Sequence, residues 1–263
     1  MTSPASTATR GERRIPPLGG FNLTFLGLEL RRMLRNRRTI VFALVLPPVI
    51  YLAVGTNSGY KNDHSLAHGN VAGYVMISMA VYGAILSTTS GGAMVSVERS
   101  LGWSRQLRLT PLKPVAYIVI KMLIAMLLGA ASIVVVFIVG GFTGADVDGR
   151  VWVFSALIAW LASVVFAAFG VFMGYLLPSE NVMQILGPTL AFLAFAGGLF
   201  IPINGGVMLI VSKFMPTYGI AELAREPLTG TGFTPSAIAN VVVWAAVFIV
   251  GAALLFRRDT KRV

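Results

Sequence analysis

Two histidines and three aspartates are the residues whose types and spacing could bind a metal ion in this 263-residue chain. His64 and His68 stand four residues apart, close to Asp63, but a metal centre needs three or four well-placed ligands. Asp146 and Asp148, in the sequence GADVDG, resemble the start of a calcium loop without its later acidic ligand. We therefore expect no metal site on this chain and interpret GADVDG as a turn.

Nucleotide hydrolysis and covalent catalysis lack the residues that they require. A phosphate-binding loop ends in Gly-Lys followed by Ser or Thr, and no Gly-Lys pair occurs in the sequence. The chain has no cysteine, which excludes a cysteine nucleophile. The long apolar segments hold no internal acidic residue or histidine that could carry a proton in an ion-coupled carrier. We predict that the chain is not an enzyme and has no energy source of its own.

One basic segment that carries a tryptophan, VERSLGWSRQLRLTPLKP (97–114), interrupts two long apolar runs. We expect Arg105 and Arg108 to point toward water, and Pro111 and Pro114 to end the element. A short helix that projects from two spans into the cytosol is suited to docking in the groove of a soluble partner. The alternative is a structural loop whose charge only fixes the orientation of the chain.

The composition indicates an integral membrane protein, since 56% of the residues are hydrophobic and only 12% are charged. A span needs roughly 20 mostly apolar residues. Six segments qualify, at 39–55, 72–97, 115–140, 151–177, 182–201 and 235–256. We therefore predict an all-α fold with a six-span transmembrane domain over residues 39–256 and a kink in the first span at Pro47 and Pro48.

Basic residues are distributed unequally between the two sides of the predicted membrane domain. Of the 21 lysines and arginines, the side opposite the termini holds only Lys61, Arg150, Lys213 and Arg225. Because an excess of lysine and arginine marks the cytoplasmic side, we expect the 97–114 segment and both termini to be cytoplasmic. The termini comprise a flexible tail at 1–20 and a short tail at 257–263.

Two segments outside the spans have patterns of their own. Residues 21–38 place Phe21, Phe25 and Leu28 at helical spacing ahead of clustered arginines. This pattern predicts an amphipathic helix in the cytoplasmic interface, near anionic headgroups; the alternative is a simple basic flank. Residues 202–234 contain an apolar piece too short to span, between prolines and glycines. They predict a re-entrant helical hairpin on the outer side, with an ordinary long loop as the alternative.

Hydroxyl, amide and aromatic side chains in the spans are candidate contacts for a transported molecule. The candidate substrate-path residues on spans two and five are Tyr82, Thr89, Asn181, Gln184, Phe192 and Phe195. A lining without fixed charge suits a large lipophilic or amphipathic substrate. The same residue types commonly serve close helix packing, and that alternative stays open.

The run ERSLGWSRQLRLTPLKPVAYIVIK (98–121) resembles the membrane subunits of type-2 ATP-binding-cassette (ABC) exporters. In those proteins a glutamate, a glycine, an arginine-leucine pair and Thr-Pro-Leu follow the second span. The order of amphipathic helix, six spans, linker helix and outer hairpin extends the resemblance across almost the whole chain. It implies a cytoplasmic coupling helix at about 98–111 that docks on a separate ATPase. The residues that take this role by resemblance are Glu98, Arg99, Gly102, Trp103, Arg105, Leu107, Arg108 and Pro111.

The resemblance also implies a function and partners. ATP and Mg²⁺ would bind to the partner ATPase, with no cofactor on this chain, and a second copy or a related permease subunit would complete the pathway. The implied cargo is a drug, an antibiotic or a lipid-like natural product, moved out of the cytoplasm or inner leaflet of a bacterial cytoplasmic membrane. Export of a polysaccharide or glycolipid is the alternative within the family. Outside the family, the sequence leaves open an ion-coupled secondary carrier and a membrane scaffold.

Overall fold

The computed structural model describes residues 23–36, 40–102, 114–203 and 205–261. The expected N-terminal tail at 1–20 lies outside these residues. So do Trp103, Arg105, Leu107, Arg108 and Pro111 of the expected coupling helix. Glu98, Arg99 and Gly102, at the start of that element, are described.

The described residues form helices, with no strand among them beyond isolated bridges at Leu66, Gly69 and Val147. In chain order the helices are α1 (Leu23–Leu34), α2 (Leu46–Val54), α3 (Ser58–Asn62), α4 (Val71–Ser100), α5 (Pro114–Thr143), α6 (Gly149–Ala162), α7 (Val164–Leu176), α8 (Ser179–Ala196), α9 (Gly206–Lys213), α10 (Pro216–Thr229) and α11 (Pro235–Lys261). A turn of π-helix, Val41–Val45, precedes α2. The all-α prediction is confirmed for this part of the chain.

Four stretches of helix in the described ranges are long and apolar enough to cross a membrane. They are α4, most of α5 (Ala116–Thr143), the α6–α7 pair (Gly149–Leu176) and most of α11 (Pro235–Arg258). These stretches coincide with the second, third, fourth and sixth predicted spans. Helices of this length and composition are consistent with the predicted helical membrane protein.

The other two predicted spans are also helical, but neither helix is both long enough and apolar enough to cross a membrane. The first is a short apolar helix, Ala43–Val54, in which Leu46 separates Pro47 and Pro48 from the π-helical turn. The fifth is α8, whose first turn contains Glu180 and whose interior contains Pro188, so its apolar part is shorter than the helix. The count of six spans is not confirmed and stays a prediction.

Helices α9 and α10 occupy the segment for which the sequence predicts an outer hairpin. They are apolar enough together for one span but are bent by 96° at the break between them. Pro216 opens α10, which suits a helix start because proline has no N–H to donate. The pair is either a broken span or a re-entrant hairpin, and its depth in the membrane stays a prediction.

Helix α4 is the centre of the fold, because 83% of its most apolar stretch is buried inside the protein. It packs mainly against α5 and α7. A Cβ atom on Gly170 of α7 would lie 2.2 Å from the carbonyl oxygen of Thr89, and one on Gly92 would lie 2.6 Å from that of Ala167. Both distances are far shorter than van der Waals contact, so α4 and α7 pack backbone to backbone at these positions.

Gly170→Ala is expected to lower the free energy of unfolding by about 1–3 kcal/mol, because the added methyl group meets backbone atoms of α4. Gly187→Ala in α8 is the matched control, since a Cβ there meets no described atom within 4 Å. Chemical unfolding of the purified variants in mixed micelles measures both effects. If Gly170→Ala were as stable as the parent chain, the close α4–α7 packing would be wrong.

Candidate functional site

Glu98 lies near the end of α4 and is only 2% exposed. Its carboxylate accepts hydrogen bonds from the Lys121 ammonium and the Tyr117 hydroxyl of α5. It also accepts one from Arg32 Nη1 of α1 at 3.1 Å. A carboxylate removed from water needs such partners, because an unpaired buried charge is strongly destabilising. Two neighbouring helices therefore satisfy Glu98.

Glu29 of α1 adds a second carboxylate to the same group. It accepts a hydrogen bond from the Lys121 ammonium and lies 3.5 Å from Arg32 Nη1. Lys121 therefore bridges Glu29 and Glu98, and two cations balance two carboxylates. We call Glu29, Arg32, Glu98, Tyr117 and Lys121 the ion cluster. It joins α1, α4 and α5.

An apolar layer beside the ion cluster limits its contact with water. Met33 of α1 packs with Ile120, Ile124 and Leu128 of α5, and all four side chains are buried. Lys121 itself is only 3% exposed. Water screens charges weakly in such surroundings, so the ion pairs attract more strongly than pairs at the surface. Separation of α1 from α5 would expose this layer and remove a partner from Lys121.

Arg99 follows Glu98 and ties the end of α4 to another neighbour, α7. Its Nη1 donates to the carbonyl oxygens of Gly174 and Tyr175 at 3.2 Å each. Its guanidinium carbon lies 5.1 Å from the centre of the Tyr175 ring. These carbonyl groups belong to the last turn of α7, where the helix dipole favours a cation. Glu98 and Arg99 therefore fix the end of α4 against different helices.

The ion cluster lies at the base of the segment that the sequence predicts to be the coupling helix. Glu98 comes before residues 103–113, and Tyr117 and Lys121 come after them. Helix α4 ends in a turn in which Gly102 has a φ of +72°, a left-handed conformation that glycine adopts readily. The hydrogen bonds from Tyr117 and Lys121 to Glu98 hold the chain on the two sides of 103–113 together.

Sequence reasoning identified Glu98 but missed the other members of the ion cluster, which are Glu29, Arg32, Tyr117 and Lys121. A lysine inside an apolar run requires an acidic partner, and that rule could have singled out Lys121. It could not have named Glu29, which is 92 residues away along the chain. Only the packing of α1 against α5 reveals this pair.

The candidate substrate-path residues do not share one surface. The ring of Tyr82, which is buried, lies 4.8 Å from that of Phe200, and the buried Thr89 hydroxyl donates to the carbonyl oxygen of Phe166 at 3.3 Å. The other candidates lie exposed on α8, and they are Asn181, Gln184, Phe192 and Phe195. Helix packing accounts for Tyr82 and Thr89 in this structure. A substrate role for these residues stays a prediction.

Arg225 of α10 is buried near the opposite end of α4, although the sequence pattern predicts only an outer location. It donates to Ser78 Oγ at 2.7 and 3.0 Å, and to the carbonyl oxygens of Gly198 and Leu199 at 3.1 and 2.8 Å. Its guanidinium carbon lies 4.2 Å from the centre of the Tyr74 ring. These contacts fasten α10 to α4 and to the segment that follows α8.

The two histidines pair with aspartates from another loop. His64 Nε2 lies 3.3 Å from Asp146 Oδ2, and His68 Nδ1 lies 3.0 Å from Asp148 Oδ2. Asp63 instead accepts hydrogen bonds from a serine two positions later, which lower the pKa of its carboxyl. Within the residues that the structure describes, no three side chains of metal-binding type form a group that could hold an ion.

Comparison with known proteins identifies the family of this chain. The sequence model of the ABC-2 type transporter matches residues 23–229, which extend from α1 to the end of α10. The chain is also 27% identical over 240 residues to "Putative transport permease YvfS" of Bacillus subtilis (strain 168), covering 88% of this chain and 95% of that protein. The chain belongs to the ABC-2 type transporter family. This family supplies the membrane component of a transporter, and its usual partner is an ABC ATPase.

Lys121→Met is expected to lower the free energy of unfolding by about 3–5 kcal/mol, because Glu29 and Glu98 stay buried and lose their shared partner. Lys213→Met on exposed α9 is the control, with an expected change of less than about 0.5 kcal/mol. Denaturant unfolding in mixed micelles, followed by tryptophan fluorescence, measures both. Equal stability of the two variants would contradict a buried, charge-paired cluster.

Proposed function

We propose that the chain is the permease subunit of an ATP-driven exporter and docks a separate ATPase through residues 103–113. The ion cluster is the observation that carries this proposal. It holds the two sides of 103–113 together and connects them to α1. It also lies at the end of α4, the helix at the centre of the fold. A displacement of 103–113 would therefore act directly on the transmembrane helices.

The distribution of charge supports a cytoplasmic position for the ion-cluster end. The end of α11 lies there too, because the Phe256 ring contacts the Tyr175 ring at 5.8 Å. The exposed arginines described at this end are Arg31, Arg32, Arg35, Arg257 and Arg258. An excess of basic residues is typical of the cytoplasmic side. In this orientation the Arg225 end of α4 faces the outside.

Helix α1 has the surface expected of a helix at the cytoplasmic interface. Leu28 is 63% exposed, whereas the adjacent Glu29 is 7% exposed and lies in the ion cluster. Arg31, in the last turn, is exposed. One face of α1 therefore binds the protein, while an apolar residue and a basic residue remain on the other faces. Such a helix is suited to the level of the lipid headgroups.

In the proposed cycle ATP and Mg²⁺ bind to the partner ATPase. Arg105 and Arg108 would offer charge to the ATPase surface, and Leu107 an apolar contact, as docked helices commonly do. Closure of two ATPase subunits would displace 103–113, and the ion cluster would pass this displacement to α1, α4 and α5. A second membrane subunit, identical or related, would complete the pathway.

We propose a hydrophobic or amphipathic cargo such as a drug, an antibiotic or a lipid-like natural product. The exposed face of α8 supports this choice, since Phe192 is 66% exposed and Phe195 is 53% exposed. Asn181 and Gln184 are exposed near the start of the same helix. Aromatic rings with amide groups at one end can contact an amphipathic molecule without a fixed charge. The cargo would leave the cytoplasm or inner leaflet of a bacterial cytoplasmic membrane.

The double variant Arg105→Glu/Arg108→Glu is expected to uncouple ATP hydrolysis from export, because it reverses the charge offered to the ATPase. The test uses proteoliposomes that contain the complex and an amphipathic dye that the parent complex exports. Dye export is expected to fall to background while ATP hydrolysis continues.

The control is Lys61→Glu/Lys213→Glu, which makes the same charge change at the opposite end of the molecule. This control is expected to export normally. Normal export by the Arg105→Glu/Arg108→Glu variant, at equal abundance in the membrane, would show that 103–113 is not the docking element.

A further inference from the structure

A cavity of about 290 Å³ lies between the start of α6 and the end of α10. It is at the Arg225 end of the molecule and is separate from the ion cluster. Charged and polar side chains line one part of it and apolar side chains line another. The lining residues that matter here are His68, Asp148, Arg150, Glu226, Phe154 and Phe233. A cavity with a charged part and an aromatic part suits an amphipathic ligand.

Charges of both signs face this cavity. Arg150 and Glu226 both line it, yet neither forms an ion pair with any residue in the described ranges. Asp148 also lines the cavity, and His68 Nδ1 lies 3.0 Å from its carboxylate. A ligand with a negative group beside Arg150 and a positive group beside Glu226 would satisfy both open charges.

The ends of two helices reinforce this division of charge. Helix α6 begins at Gly149, and its N-cap Asp148 makes no side-chain capping hydrogen bond. The partly positive end of α6 therefore lies beside Arg150. Helix α10 ends at Thr229, so its partly negative end lies on the side of Glu226. The helix dipoles favour an anion at Arg150 and a cation at Glu226.

The same cavity opens toward an apolar surface. Phe154 and Phe233 are 53% and 52% exposed, and Leu157 and Leu161 continue the exposed face of α6. In a membrane-spanning helix, an exposed apolar face is in contact with lipid chains. A ligand whose head lies in the cavity can therefore extend a hydrocarbon chain along α6.

We propose that this cavity binds the headgroup of a zwitterionic phospholipid. The phosphate lies at Arg150, the positively charged nitrogen lies at Glu226, and an acyl chain packs against Phe154. The bound lipid braces α6 against α10, and hence the hairpin against the transmembrane body. This site goes beyond the proposed export function and does not depend on ATPase docking. In the proposed orientation its lipid comes from the outer leaflet.

Native mass spectrometry of the purified full-length chain, stripped of lipid and titrated with phosphatidylethanolamine, tests this site. The parent chain is expected to retain phosphatidylethanolamine in preference to phosphatidylglycerol, which has no positive nitrogen. Arg150→Gln is expected to weaken retention about tenfold, as for the loss of a hydrogen bond to a charged group. Lys213→Gln removes a positive charge from exposed α9 and is expected to retain lipid as the parent does.

Glu226→Gln separates headgroup recognition from general attraction to lipid. It is expected to abolish the preference for phosphatidylethanolamine over phosphatidylglycerol, whereas a merely structural role would leave the preference unchanged. Three results would each overturn the proposal. They are no headgroup preference in the parent, equal losses in Arg150→Gln and Lys213→Gln, and tighter retention of an alkyltrimethylammonium cation than of the phospholipid.

Co-purification of the ATPase with the Arg150→Gln variant is measured in parallel. It is expected to match the parent, because Arg150 is remote from the ion cluster. Loss of lipid retention with intact ATPase binding therefore supports the lipid site. Failure of the lipid assay in the parent, with the ATPase still bound, contradicts the lipid site alone.

Discussion

A buried carboxylate must be neutralised by its neighbours, and Glu98 of α4 imposes this requirement on two neighbouring helices at once. Helix α5 meets it through Lys121, and α1 meets it through Arg32. Because Lys121 also binds Glu29, α1 cannot leave the bundle without separating two charged side chains that are both buried. This pairing fixes the position of α1 and the approach of α5 to α4. It also holds together the described residues on the two sides of 103–113.

Helix α4 connects the ion cluster with the opposite end of the molecule. Its 30 residues correspond to about 45 Å of helix. Glu98 lies near one end, and Ser78, which accepts hydrogen bonds from Arg225, lies toward the other. Between them, Gly170 lies so close to Thr89 that even a small separation of α4 and α7 would lose this contact. A single helix therefore carries both anchor points, which suits the proposed transmission of a displacement from the ATPase to the hairpin.

Much of the fold could be predicted because apolar length and helix boundaries are local properties of the sequence. Helices occupy the positions of four predicted spans, and helices also lie within 21–38 and 202–234. The partners of buried charges could not be predicted, since nothing near Lys121 points to Glu29. The sequence also could not show whether polar side chains in the spans contact a substrate or another helix. The Thr89 hydroxyl, a substrate candidate by type, donates instead to a carbonyl group of α7. Pairing and packing of this kind depend on tertiary contacts that residue type does not specify.

The chain has no cysteine, which permits a direct test of the central claim that residues 103–113 dock the ATPase. Arg105→Cys, at the predicted interface, and Lys213→Cys, at the opposite end, are each treated in native membranes with a short cysteine-to-lysine cross-linker. The account predicts a cross-linked product of permease and ATPase from Arg105→Cys and none from Lys213→Cys. If Arg105→Cys gave no such product while the ATPase still co-purified, or if Lys213→Cys gave it instead, the docking assignment would be contradicted.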